Sequence, residues 1–327
     1  MKSGISLVEM AQEIQRQNDL KADYMLDTRS LRLEPFGDGL YLNAYDKSGD
    51  YAVEPLEVNA IAHRQIGTHL KIPAAYYDKM LEEYPELLAQ NVNAWFQREP
   101  AVRMVRTIDG TARAFLSNRY RRIDNLDIAG IVLPVLQEME GMHFESCQLT
   151  DSRMYIKVVN TRLEAEVVHG DIVQSGIIIS NSEVGLGSVS IQPLVYRLVC
   201  SNGMVSSKPL GNGKRRIHRG KSNELAGYVQ EYQPIGVEKN AEFLTQLQDT
   251  MHDAITGAKF QMLVEQMRES RNAAIEAEDI PGLLKAVGSN FGIQEKEQGG
   301  VLQHLLTDAD MTLYGLANAV TRYAQDV

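Results

Sequence analysis

Apolar residues along this chain change their spacing several times. Leu7, Met10, Ala11 and Ile14 recur every three or four positions, with Ser6 ahead of them as a cap, which predicts an amphipathic helix over 6–18. Between 31 and 56 the spacing becomes two (Leu31, Leu33; Leu40, Leu42), broken by Gly-Asp-Gly and Lys-Ser-Gly-Asp, the pattern of a hairpin or meander. Helical spacing returns over 57–67 and 73–96, with Pro73 suited to a first turn. Residues 101–116 hold two short apolar runs about Asp109-Gly110, the best hairpin signal in the chain, which sets Arg103 opposite or near Arg113. The loop "NRYRRIDN" follows, and then a helix over 126–139 that Pro134 interrupts.

Two further strands are predicted at "HFESCQLT" and "RMYIKVVN". Beyond them, β-branched runs are split by Asn-Ser-Glu-Val-Gly-Leu-Gly, which reads as strand, glycine turn, strand. Asn202-Gly203 predicts a tight turn after a strand that ends near a buried Cys200. From 222 the pattern is helical to the end, with breaks at Gln233-Pro234, 279–282 and 298–300. The expected class is α+β, with two regions. Residues 1–221 form a β-rich body, a mixed or antiparallel sheet with packed helices, and 222–327 form a mostly helical region.

Charge sharpens this division. The net charge is -10, and 222–327 carries sixteen acids against seven Lys and Arg, a net of -9. The first two thirds is therefore near neutral, with its cations clustered. The chain has no apolar run of the roughly 18 residues that suggest a membrane span, and its opening is polar and helical, so a cytoplasmic protein with no membrane partner is expected. Cys147 and Cys200 flank no CxxC, which argues against a disulfide framework or a zinc knuckle.

The sequence carries no pattern that assigns a catalytic residue. The seven histidines are scattered, and His63 and His69 lie six apart, off one helical face. The glycines of 185–188 precede no Lys-Ser/Thr and read as a turn with positive φ. Lys214 is followed by Arg215 and lacks the first half of a phosphate loop; no Gly-x-Ser-x-Gly elbow is present, and Cys200 has no evident histidine partner. No catalytic residue, metal ligand or cofactor follows from these patterns.

Cations remain. Seven arginines lie between 98 and 122, with no lysine and only Glu99 and Asp109 opposing them. Guanidinium forks bind phosphate in pairs of hydrogen bonds and stack on bases. Arg103, Arg106, Arg113, Arg119, Arg121 and Arg122 are the candidates here, and Tyr120 among them is the aromatic expected beside an unstacked base. A second cationic segment, punctuated by glycine, adds Lys208, Lys214, Arg215, Arg216, Arg219 and Lys221. A solvated surface run, with Arg121 and Arg122 paired to Asp124 and Asp127, is the competing reading.

The strings "AFLSNRYRRIDNLDI", "GIIISNSEVGLGSVSIQPLVYRLVCSNGMV" and "TLYGLANAVTRYAQD" resemble, in that order, the phage- and plasmid-related family called domain of unknown function 932. The resemblance implies a mobile-element setting in the cytoplasm and assigns no activity. More distantly the chain is similar to phage single-strand annealing proteins, from which no site residue carries over. The leading expectation is a homo-oligomeric protein that binds or anneals single-stranded nucleic acid, DNA above all, by phosphate neutralisation and base stacking without covalent chemistry. Its acidic helical region would serve self-association or recruit a replication or recombination protein. The alternatives are a mobile-element interaction protein that docks a host or phage protein, and an enzyme acting on nucleic acid.

Overall fold

The computed structural model describes residues 4–37, 39–198, 202–205, 215–216, 229–231, 251, 257–291 and 293–326. Its first helix, α1 (Leu7–Leu20), opens on a capping box in which Ser6 and Glu9 satisfy each other's backbone N–H. Strands β1 (Lys21–Asp27), β2 (Leu31–Phe36), β3 (Gly39–Tyr45) and β4 (Tyr51–Val58) follow. Next come α2 (Ala60–His69), α3 (Ala74–Glu83) and α4 (Pro85–Arg98). The pattern over 73–96 thus folds as two helices, because Pro85 has no N–H to continue α3 and instead takes the first position of α4.

The hairpin around Asp109-Gly110 is β5 (Val102–Ile108) and β6 (Thr111–Ser117), with both turn residues at positive φ. Helix α5 (Asn125–Glu138) runs through Pro134 unbroken, since Ile128, Val132, Val135 and Leu136 hold it to the sheet beneath. Then come β7 (Met142–Leu149), β8 (Met154–Val168), β9 (Asp171–Asn181), β10 (Val189–Arg197), β11 (Asn202–Val205), β12 (Arg215–Arg216) and β13 (Val229–Glu231). The chain ends in α6 (Gly257–Asn272), α7 (Ile280–Phe291), α8 (Gln298–Asp308) and α9 (Leu313–Asp326).

Among the described residues the strands form two sheets and the fold is α+β. One sheet has the order β13-β1-β5-β6-β4-β3-β2, antiparallel except for the parallel pair β4 and β6. The other has the order β11-β10-β9-β8-β7, with β12 also pairing β10. Helices α2, α3 and α4 bury one face of the first sheet through Ile66, Tyr77, Val92 and Phe96. Helices α1 and α5 bury one face of the second through Met10, Ile14, Ile128 and Val132. Helix α6 packs Phe260 and Val264 on Val167, Val173 and Val195 of that sheet, and the last three helices share a further core around Val301 and Leu316.

Asn202 and Gly203 lie within the ladder, paired with Arg197 and Tyr196, and do not form the expected Asn-Gly turn. Four successive strand pairings outweigh the local turn preference. Cys147 is buried and free, and burial raises its thiol pKa; Cys200 lies outside the described residues. Among the described residues, no helix is long and apolar enough to cross a membrane, and no group of three potential ligands could hold a metal ion.

Candidate functional site

Strand alternation explains where the arginines go. In β5 the even positions Met104 and Arg106 face away from α2–α4, whereas Val105 packs with that helical layer. Arg103 shares the Val105 face and sits over the Phe115 ring at 5.0 Å; burial lowers its pKa to about 10. Its register partner is Ser117 and not Arg113. Between Arg106 and Thr107 the ladder slips by one residue, so that Ala114 and Ala112 are paired and Arg113 is the extra residue of a β-bulge. That bulge brings Arg113 to Glu183, 2.5 Å away, beside the Arg106 cluster.

Arg106 is fully buried at the centre of this cluster. Its Nε and Nη2 donate to Asp23 at 2.8 and 3.1 Å, Nη2 also donates to Asp124 at 2.7 Å, and Nη1 donates to the Glu183 carbonyl at 2.9 Å. Lys21 adds a second cation to Asp124 at 2.7 Å, and Arg122 a second to Asp23 at 2.6 Å. Burial alone would raise the Asp124 pKa, but Arg106 and Lys21 outweigh it and hold the carboxyl well below the usual range. Burial works against the charge on Arg106, yet Asp124, Asp23 and Glu183 raise its pKa well above the ordinary value.

The turn after β9, residues 181–186, locks onto this network. Asn181 Nδ2 donates to the Ile123 carbonyl and to Asn125 Oδ1, and the Asn125 N–H donates to Glu183 at 2.6 Å at the start of α5. Ser182 Oγ donates to the Ser152 carbonyl, and Gln65 Nε2 donates to the Val184 carbonyl while its Oε1 accepts from the Phe115 N–H. The Asn-Ser-Glu-Val-Gly string is therefore the joint between the two sheets. Gly185 takes φ +78°, and a Cβ there would lie 2.6 Å from Leu116, so Gly185→Ala should cost about 1–2 kcal/mol for its backbone alone, measured by urea denaturation. Gly187 has no such conformation.

The structure corrects the expected role of Tyr120. Its ring is 7% exposed and packs with Met104, Ala114, Leu116 and Val184, while its hydroxyl donates to the Ser182 carbonyl at 3.1 Å. A ring so enclosed has no face left for a base. Tyr120→Phe should lower stability by about 1 kcal/mol, read as a shift in the denaturation midpoint, and leave any nucleic-acid affinity unchanged.

Arg106, Arg113 and Arg122 are likewise turned to carboxylates, and Arg103 lies on the opposite face. Arg122 pairs with Asp23, far away in sequence, and its charge also acts on the local acid Asp127. Arg119 is exposed and Arg121 half-buried on either side of Tyr120. Arg153, which sequence reasoning did not single out, is exposed and reaches the same turn, donating to the Leu186 carbonyl and to Tyr155 Oη. The backbone of Arg215 and Arg216 pairs with Ser190 and Val189, close after that turn. Lys208, Lys214, Arg219 and Lys221 lie outside the described residues.

No curated protein and no solved structure matches the chain. A family model does match, over 113–327, so the match begins at Arg113 and leaves Lys21, Asp23 and Arg106 before it. The chain belongs to the family described as a domain of unknown function, DUF932.

Proposed function

We propose that this chain binds or anneals single-stranded nucleic acid, DNA in the first place, by neutralising phosphates and without covalent chemistry. The observation that carries this reading is the pairing of Arg215 and Arg216 with Ser190 and Val189, which returns the second cationic segment to the turn that Tyr120 and Arg153 hold. Arg119, Arg121 and Arg153 supply the rest of a positive rim, and Lys208, Lys214, Arg219 and Lys221 belong to the segment around β12. The buried network beneath keeps this rim in shape and does not touch the strand. A mobile-element protein that handles exposed strands in the cytoplasm, alongside replication or recombination proteins, fits this chemistry. Mobility shifts with single- and double-stranded oligonucleotides test it, with a preference for the single strand expected.

Self-association belongs to the same proposal. Leu306 on α8 is 57% exposed and lines an open groove with Leu302, Gly299, Gln303 and Thr307, an apolar surface suited to a second copy. The same groove favours the second reading, a protein that docks another protein. Sedimentation of the intact chain tests the copy number: a multimer is expected, and a strictly monomeric mass at micromolar concentration removes the self-association.

A further inference from the structure

We infer that the polar cavity beside the ion network receives one nucleobase of the bound strand, an inference that rests on the single-strand reading above. The cavity measures about 340 Å³ and lies between α1, the β5–β6 turn, the β7–β8 turn and the start of α5. That volume is far larger than the roughly 30 Å³ of a single water and falls at the lower end of the range for small-ligand sites. Its buried wall is made by Arg113, Asn125 and Glu183, and its exposed wall includes Asp109 and Asp151.

Hydrogen-bond donors without acceptors define what it takes. Arg113 gives Nη2 to Glu183, and its Nε is buried with no partner among the described residues. Asn125 accepts at Oδ1 from Asn181, so the edge it has left is the Nδ2 donor. Asn59 also lines the cavity and accepts at Oδ1 from the Ala62 N–H at 2.9 Å, which again leaves Nδ2. The Arg113 Nε is closed off from solvent, so the two amide donors of Asn59 and Asn125 face the cavity, and they call for a ligand that offers acceptors.

Charge then chooses among such ligands. The lining carries four carboxylates, Glu13, Asp109, Asp151 and Glu183, against three guanidinium groups. Arg16 and Arg113 are already paired with Glu13 and Glu183, so a phosphate here would gain Arg153 alone against the repulsion of Asp109 and Asp151. A neutral group with carbonyl oxygens and ring nitrogens meets the donors without that cost. The exposed carboxylates accept from exocyclic amines or the N–H of a base. Bases of a single strand are unstacked at little expense and are read on their edges in this way.

The test compares binding of a short oligothymidylate with that of an abasic strand of equal length, by fluorescence anisotropy on the full chain. The base-bearing strand should bind roughly tenfold tighter, and Asn59→Ser should remove most of that advantage while abasic binding stays unchanged. Serine keeps the α2 cap and deletes the amide donor. Asn125→Ser gives a second reading of the same cavity, and where it fails to fold Asn59→Ser decides alone. Equal binding of the two strands, or an advantage untouched in folded Asn59→Ser, overturns the inference and leaves the single-strand reading standing. Failure of both strands to bind overturns that reading and this inference with it.

Discussion

Replacing Arg106 by Met should destabilise the folded chain by about 3–5 kcal/mol. The guanidinium is fully buried and bridges Asp23, Asp124 and the Glu183 carbonyl, so the substitution strands two carboxylates and one carbonyl in a dry interior. Arg122 still opposes Asp23 and Lys21 still opposes Asp124, which places the loss toward the lower end of the range. Arg106→Lys should recover little, because a point charge cannot span both carboxylates and the carbonyl. Urea denaturation measures the effect, and a loss below about 1 kcal/mol would show that the network is dispensable.

The same experiment has a pH arm with a definite sign. Asp124 is held below its unfolded value, near 3.9, so its contribution is complete above that pH and is lost as the pH falls toward the folded value. Without Arg106 the buried Asp124 carboxyl loses its main cation and its pKa rises. Protonation then relieves the variant while it weakens the native chain. The stability gap between the two should therefore narrow as the solution is acidified from neutral pH through 4.

Local pattern made much of the fold legible. Leu7, Met10 and Ile14 mark α1, and Asp109-Gly110 marks the β5–β6 turn, because both depend only on near neighbours in sequence. Strand β1 was not legible as a strand: "KADYMLD" pairs with β5 some eighty residues later, and nothing in either segment names the other. The surroundings of Arg106 and Arg113 were hidden for the same reason. Their counter-charges come from 83 and 70 residues away, Asp23 for Arg106 and Glu183 for Arg113, so a window around 98–122 shows an excess of cation that folding cancels. One signal was present. Asp23 sits beside the apolar residues Tyr24, Met25 and Leu26, and a carboxylate in such a run requires a buried partner. The bulge that re-aims Arg113 has no glycine to announce it.

Changing Lys214, Arg215 and Arg216 together to Ala should weaken binding to every single-stranded sequence alike. Backbone contacts carry no sequence information, so discrimination between oligonucleotides should not change. Each lost phosphate contact lowers the salt slope by roughly 0.7 for a single strand, and the triple change should flatten it by about two units. Arg106→Lys, by contrast, should reduce folded protein without altering the slope of what remains. This contrast separates the rim from the network beneath it, although both are built from arginine.

The most direct test of the central claim is the affinity of the intact chain for a single-stranded oligonucleotide over a series of salt concentrations. The single-strand account predicts that log K falls linearly and steeply with log salt, and that the triple variant lies on a shallower line. An affinity that does not change with salt, or a triple variant that follows the native line, would contradict it.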